Sequence, residues 1–397
     1  MLELESNKKT VLFVCAYNAI SGGTIMVFEH AYRLKLRGIE AYITFRHTDD
    51  ETPYSAFPHY SDVNIIEYGS QKKFDFVVAT FWTTVYDLID FEAKHYAYFC
   101  QCDERLFYKG DDIKRFWVEQ TYSANSLHVV ASADLLSTNL KDEFASESQH
   151  VPYGINISNF HRIKRPERDR IRILIEGPGK ALFKRVRDSF EVTNEISNVE
   201  VWYVTYDGYV APDWKSDKVF KKVPYYQMPE IYQSCDILIK MSEVESFGLP
   251  NLEMMACGGA VITTAFTGHE EYAIDGKNSF VVPIGDVEAA RIKVLELIAN
   301  PELRKKFGEN GIKTAQARDW NILKPDFADA LEKIERSYPQ GNAQRVLTKL
   351  KPLSRAYHEY ESTLHKLQYL ENWKLGVIER EKTIPFRIAH RVLNLIK

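Results

Sequence analysis

Short apolar runs alternate along this chain with stretches whose apolar residues recur every three or four positions. Val11-Leu12-Phe13-Val14-Cys15 reads as a buried strand. After a loop with Ser21-Gly22-Gly23, the residues Met26, Val27, His30, Ala31 and Leu34 fall on overlapping faces of a helix, which Gly38 closes. Ala41-Tyr42-Ile43-Thr44-Phe45 is the next strand and completes a β-α-β unit. Further strands are predicted at 74–79, 96–99 and 127–131, with Ser132 as the cap of a helix reaching about Phe144. The run 161–170 is dense in charge and has the composition of an exposed linker. Beyond it the alternation restarts, with strands at 171–175, 199–204 and 236–240 and helices near 187–196 and 228–233. The pattern predicts an α/β protein of two doubly wound domains, 1–160 and 171–338, followed by a helical extension, 339–397. A ligand of such a pair belongs in the cleft between them, at the carboxyl ends of the strands.

Bulk properties narrow the class. At 397 residues the chain exceeds what one hydrophobic core comfortably serves. A net charge of −4 speaks against a dedicated nucleic-acid binder, and 45% hydrophobic residues speak against disorder. The five cysteines are an odd number in mostly apolar contexts, and Cys100-Gln101-Cys102 stands too isolated for a metal site, so reduced thiols in a cytosolic protein are expected. Residues 1–10 are polar and unlike a signal peptide, and no apolar run approaches the ~20 residues needed to span a bilayer. From Gln340 onward eleven Lys and Arg face five Glu, a surplus of +6. Within that tail Ile384, Ile388, Val392, Leu395 and Ile396 recur at helical spacing among basic residues. Such a stripe suits either the surface of an anionic membrane or packing on protein.

The chemistry concentrates in Glu245-Ser246-Phe247-Gly248-Leu249-Pro250-Asn251-Leu252-Glu253, which follows the apolar strand Ile237-Leu238-Ile239. A glycine turn leading from a strand into a helix start presents free backbone amides, an arrangement that holds phosphate. The two flanking carboxylates would face hydroxyl groups of the same ligand. Taken alone, Glu253 would more often be structural, complementing a helix dipole for roughly 0.3 to 1 kcal/mol, and a pair of hydrolase carboxylates is the other bland reading.

The run, continuing into Met254-Met255-Ala256-Cys257-Gly258-Gly259 and on to Pro283, resembles the Glu-x7-Glu signature of the retaining GT-B glycosyltransferases of family four, over about forty residues in register. The resemblance implies two Rossmann-like domains facing across a cleft. It implies that Glu245 lies near the transferred sugar, that Glu253 binds the ribose hydroxyls, and that Phe247, Gly248, Leu249 and Gly268 belong to the donor side. Glu176-Gly177-Pro178-Gly179-Lys180, with Lys184-Arg185 after it, stands where the family carries G-R…K-G. Lys184 is then the candidate that stabilises the leaving phosphate, and Lys180 or Arg185 substitutes for the missing arginine. Gly22 and Gly23 match the family's amino-terminal loop across the cleft. The segment around Asp103 and Glu104 resembles the rhamnosyltransferase-type branch that builds surface glycans, which makes those two acceptor-side candidates; a structural salt bridge is the rival role.

The expected activity is retaining, metal-independent transfer from a nucleoside-diphosphate sugar to a hydroxyl of a glycan or lipid- or protein-linked acceptor, with no cofactor. No Asp-x-Asp occurs, which disfavours the metal-dependent GT-A alternative. A sugar-nucleotide epimerase, a phosphorylase, or a silent sugar-nucleotide-binding subunit remain the rivals. A cytoplasmic location is expected, peripheral at the inner face of the plasma membrane if the tail binds lipid.

Overall fold

A computed structural model describes residues 8–48, 52–123, 127–164 and 168–381, the last nine by backbone alone. The apolar run of the tail beyond Glu381 lies outside the described residues. The first sheet holds β1 (Thr10–Tyr17), β2 (Glu40–His47), β3 (Asn64–Ile65), β4 (Lys73–Ala79), β5 (Glu92–Cys100), β6 (His128–Ala131) and β7 (Ser148–His150), all parallel, in the order β3-β2-β1-β4-β5-β6-β7. The second holds β8 (Ile171–Glu176), β9 (Val199–Thr205), β10 (Lys218–Lys221), β11 (Ile237–Lys240), β12 (Ala260–Thr264) and β13 (Phe280–Val282), also parallel, in the order β10-β9-β8-β11-β12-β13. Strands covered by helices on both faces must be apolar on both, which is why the central ones read as continuous runs. Each sheet reverses its winding once, between β1 and β4 and between β8 and β11. Those two crevices are where open α/β sheets bind ligands.

The helices of the first half are α1 (Gly22–Leu36), α2 (Trp82–Tyr86), α3 (Ile113–Tyr122) and α4 (Asp134–Phe144); those of the second are α5 (Val186–Thr193), α6 (Met228–Gln233), α7 (Leu249–Ala256), α8 (Val287–Ala299) and α9 (Pro301–Gln316). Ser21 caps α1, its hydroxyl accepting from the Thr24 amide. Ser132 does not cap α4: Ala133 stands at that position, and the Ser132 hydroxyl instead donates to the Gln101 carbonyl at 2.9 Å. That bond ties the end of β6 to the loop after β5, a tertiary partner that outcompetes the local one.

The last two helices, α10 (Phe327–Ser337) and α11 (Ala343–Glu381), return to the first sheet. Phe327 meets Phe13 edge-on at 5.2 Å, and Lys9 pairs with Glu335 at 2.6 Å. Asn342 replaces a strand neighbour for β5, its side chain bonding both the amide and the carbonyl of Tyr96. Farther along α11, Val346, Leu350 and Tyr357 are buried in the aromatic core around Trp82, Tyr86 and Trp117, and Glu361 pairs with Arg46. The tail is therefore a strap on the first domain as far as Glu361. Beyond that point Leu367, Tyr369 and Leu370 are exposed.

Candidate active site

The two crevices face one another and enclose a cleft of about 600 Å³. Its first wall comes from the loop after β1 and the start of α1 (Ile20 to Gly23), Thr80 and Phe81 after β4, and Gln101, Cys102 and Glu104 after β5. The facing wall comes from Glu176 to Pro178 after β8, Tyr206 and Asp207 after β9, and Lys240 to Glu253 around the end of β11 and α7. Rings bridge the walls: Phe107 meets Phe183 at 5.0 Å, and Tyr153 meets Phe247 at 5.6 Å. The starts of α1 and α7 approach each other there, a Cβ on Gly22 standing 3.8 Å from Leu249 Cδ1.

The loop that carries Glu245 is held from behind. Gly248 sits at φ +74, where a Cβ would lie 2.7 Å from the Phe266 ring. Gly268 at φ +93 lets the next loop press against Ser246, whose carbonyl oxygen would be 1.9 Å from a Cβ. Gly268 thus supports the site from outside the cleft wall. Phe247 is an anchor, buried between Tyr272 at 4.7 Å and Tyr153, with the Arg318 guanidinium over its ring. Tyr272 donates to the Phe247 carbonyl at 2.6 Å and fixes the turn.

Glu245 stands between two ammonium groups, Lys184 at 2.7 Å on one oxygen and Lys240 at 3.2 Å on the other, while the Ser242 hydroxyl donates at 3.0 Å. Burial alone would raise this carboxyl, but the two lysines outweigh it and hold it at about 2. Glu253 differs. Burial and the neighbouring Glu176 carboxylate push it to about 7, against a 2.7 Å hydrogen bond from the Tyr225 hydroxyl. Glu176 is likewise raised by burial, opposed by Lys240. The cleft is consequently polarised, with two ammonium groups gathered around Glu245 and a hydroxyl-lined end around Glu253, Glu176 and Tyr225, where burial pushes both carboxyls up.

Sequence reasoning brought Glu245, Lys184, Glu253, Phe247, Gly248, Leu249, Gly22, Gly23 and Glu104 to this cleft, and the structure collects all of them there. Besides Gly268, which supports the loop from behind, three other candidates are placed elsewhere. Lys180 is exposed and outside the cleft wall, its amide spent on Asp207. Arg185 turns to Asp188 at 2.6 Å and Glu243 at 3.4 Å. It occupies a left-handed φ of +44, the conformation a glycine would take most easily. Asp103 forks with Arg105 at 2.7 Å, the salt-bridge role. Glu104 beside it is buried, accepting from the Trp82 amide at 2.7 Å and the Tyr98 hydroxyl at 2.6 Å, and burial pushes its carboxyl to about 8. Sequence reasoning missed Lys240 and Tyr225, and it named Glu176 only as the first residue of the loop after β8, with no role of its own. Lys240 was visible as a charge closing an otherwise apolar strand, Ile237-Leu238-Ile239-Lys240.

Among the described residues, a group placed to hold a metal ion is Asp87, Asp90 and His358, under α11 and away from the cleft. Asp87 there already faces Arg46 at 3.6 Å. An open hollow of about 690 Å³ lies between Arg46 and the distal part of α11, and of its lining side chains Arg46, His358 and Glu361 are engaged in the same network.

Residues 215–314 match the family model of the glycosyl transferases group 1. That matching segment includes Glu245 and Glu253 of the cleft wall. The chain is 33% identical over 144 residues to an uncharacterized glycosyltransferase of Methanocaldococcus jannaschii, covering 36% of this chain and 35% of that protein. It is 29% identical over 176 residues to N-acetyl-alpha-D-glucosaminyl L-malate synthase of Bacillus anthracis, covering 43% and 42%. The alignments thus span less than half the length of these relatives. Among solved structures, sucrose-phosphate synthase of Thermosynechococcus elongatus superposes with a TM-score of 0.66 at 16% identity, covering 83% of this chain and 99% of that one. HepE of Anabaena, in complex with UDP-glucose, superposes with 0.65 at 13% identity, covering 82% and 99%. The fold of the two-sheet body is GT-B.

Proposed function

We propose that this GT-B protein transfers a glycosyl group from a nucleoside-diphosphate sugar to an acceptor hydroxyl, with retention of anomeric configuration and without a metal ion. The observation that carries the reading is the polarised cleft wall. Lys184 and Lys240 gather positive charge where a diphosphate would lie, and Glu253 with Tyr225 offers hydroxyl-binding groups where the ribose would lie. As the bond from the anomeric carbon to the diphosphate breaks, charge grows on the leaving oxygen, and ammonium groups in a desolvated cleft stabilise it. The leaving phosphate oxygen takes the proton of the acceptor hydroxyl that attacks from the same face, so no separate base is needed. Glu245, held anionic, orients Lys184 and faces the reacting sugar. Glu104, held neutral, can donate to an acceptor oxygen from the opposite wall.

The acceptor in this reading is a growing glycan or glycoconjugate of the cell surface. No helix among the described residues is long and apolar enough to cross a membrane. The exposed Leu367, Tyr369 and Leu370 of α11, continued by the basic and apolar segment from Ile384, support a peripheral contact with anionic lipid on the cytoplasmic side. The test is a donor panel of UDP-, GDP-, ADP- and dTDP-sugars, beginning with UDP-glucose. Transfer requires nucleoside diphosphate to appear only when an acceptor is supplied, with an unchanged rate in EDTA. Release without acceptor, or conversion of the donor to an isomer, overturns it.

A further inference from the structure

Lys240 is a lysine in the middle of a sheet, 3% exposed at the end of a strand whose other residues are wholly buried. A buried ammonium is costly unless paired. The register that pairs Ile239 with Ile175 brings Lys240 and Glu176 to the carboxyl ends of adjacent strands, at the point where the sheet reverses its winding. Glu176 alone would satisfy it as a counter-ion. Instead its ammonium reaches Glu245 at 3.2 Å, on the oxygen that Lys184 does not take. One carboxylate therefore holds two ammonium groups at the cleft wall, and the Glu176 carboxyl lies close to the second of them. The basic side chains on either side of Lys184 do not line the cleft: Lys180 is exposed, and Arg185 turns to Asp188 and Glu243. Among the described residues the cations lining the cleft are Lys184, Lys222 and Lys240.

We propose that Lys240 is a phosphate-binding cation of the donor site, paired with Lys184, and that Glu245 keeps the two ammonium groups apart and aimed until a diphosphate arrives. This rests on the reading of the cleft as a nucleoside-diphosphate-sugar site. The basic function that the loop after β8 lacks, with Pro178 and Gly179 where an arginine would stand, is met from the neighbouring strand β11. Each ammonium carries three donors, so a phosphate oxygen can join Glu245 as a partner without leaving the buried carboxylate unpaired.

Calorimetric titration with UDP, ADP, GDP and dTDP, and with the nucleoside of whichever binds, tests this on the full chain. The Lys240→Met variant should lose about tenfold or more in affinity for the diphosphate, the loss of one charge-assisted hydrogen bond, while its affinity for the nucleoside stays within about twofold. Lys240→Arg should recover most of the loss. Because Lys240→Met leaves Glu176 without its cation, the Lys240→Met/Glu176→Gln double variant is measured beside it and should show the same diphosphate-specific loss. Equal loss for diphosphate and nucleoside, recovery of diphosphate affinity in the double variant, or wild-type affinity in Lys240→Met would overturn the proposal and leave Lys240 as a structural counter-ion. A wild-type protein that binds none of the four diphosphates overturns the reading of the cleft itself, and this inference with it.

Discussion

Replacing Glu104 by Gln should make the protein more resistant than the wild type to unfolding as pH rises, although it removes an ionisable group from the cleft wall. Glu104 is 2% exposed, and its carboxyl accepts from the Trp82 amide and the Tyr98 hydroxyl with no cation in contact. Burial is the dominant cause and lifts it from 4.5 to about 8. A carboxyl raised by folding stabilises the native state fully below its unfolded value, and that contribution is lost as pH rises through the folded value. The window therefore runs from about pH 4.5 to 8. At about 1.4 kcal/mol per pH unit, the wild type loses on the order of 5 kcal/mol across it from this group. Glutamine has nearly the same shape, keeps an oxygen for both donors and does not ionise. Urea unfolding of both proteins at pH 5, 6, 7, 8 and 9, read as the difference between their midpoints, cancels every other titrating group. The difference should favour the variant progressively up to pH 8 and then level off. A difference that stays flat across pH 5 to 9 would refute the claim that Glu104 is held neutral by burial.

Other perturbations separate the roles within the cleft. Glu253→Ala should weaken nucleoside-diphosphate binding by about tenfold or more through loss of the ribose acceptor, and a titration showing unchanged affinity would count against that role. Glu245→Ala should lower kcat more than it changes KM, because it releases Lys184 and Lys240 from their aligned positions; steady-state kinetics with the identified donor decide. Gly268→Ala should lose activity by displacing Ser246, since a Cβ there meets its carbonyl oxygen at 1.9 Å; an active, normally stable variant would remove its supporting role. Tyr357→Ala, which removes a ring stacked on Tyr86 at 4.3 Å, should cost about 3 kcal/mol or more and free α11 to protease, as limited proteolysis would reveal.

The strands and the main site motif were legible because their causes are local. Central parallel strands must be apolar on both faces, so Val11 to Cys15 and Ile237 to Ile239 announce themselves. The short edge strands β3, β7 and β10 were not legible. They carry Asn64, the Ser148-Gln149-His150 triplet and Lys218, residues that the solvent side of an edge tolerates and that no periodicity distinguishes from loop. Helix α10 has a readable apolar stripe in Phe327, Ala330, Leu331 and Ile334, yet it packs on β1 and α1, far earlier in the chain. Which sheet a stripe covers is a property of the whole fold.

The charges of the site show the same division more sharply. Lys180, Lys184 and Arg185 stand together in sequence, and by type any of them could serve a phosphate. The left-handed turn at Arg185 sends only Lys184 into the cleft, because Arg185 finds carboxylates on its own helix and on the loop after β11. Lys240 lies dozens of residues away in an apolar strand, and local reasoning would discount it as a strand end. It reaches the site because β8 and β11 are neighbours only through a crossover that skips β9 and β10. A strand order of this kind places the last side chains of two distant segments side by side at one crevice. That is why the carboxylate whose role depends most on its surroundings, Glu245, could be named from its motif while half of what sets its charge could not.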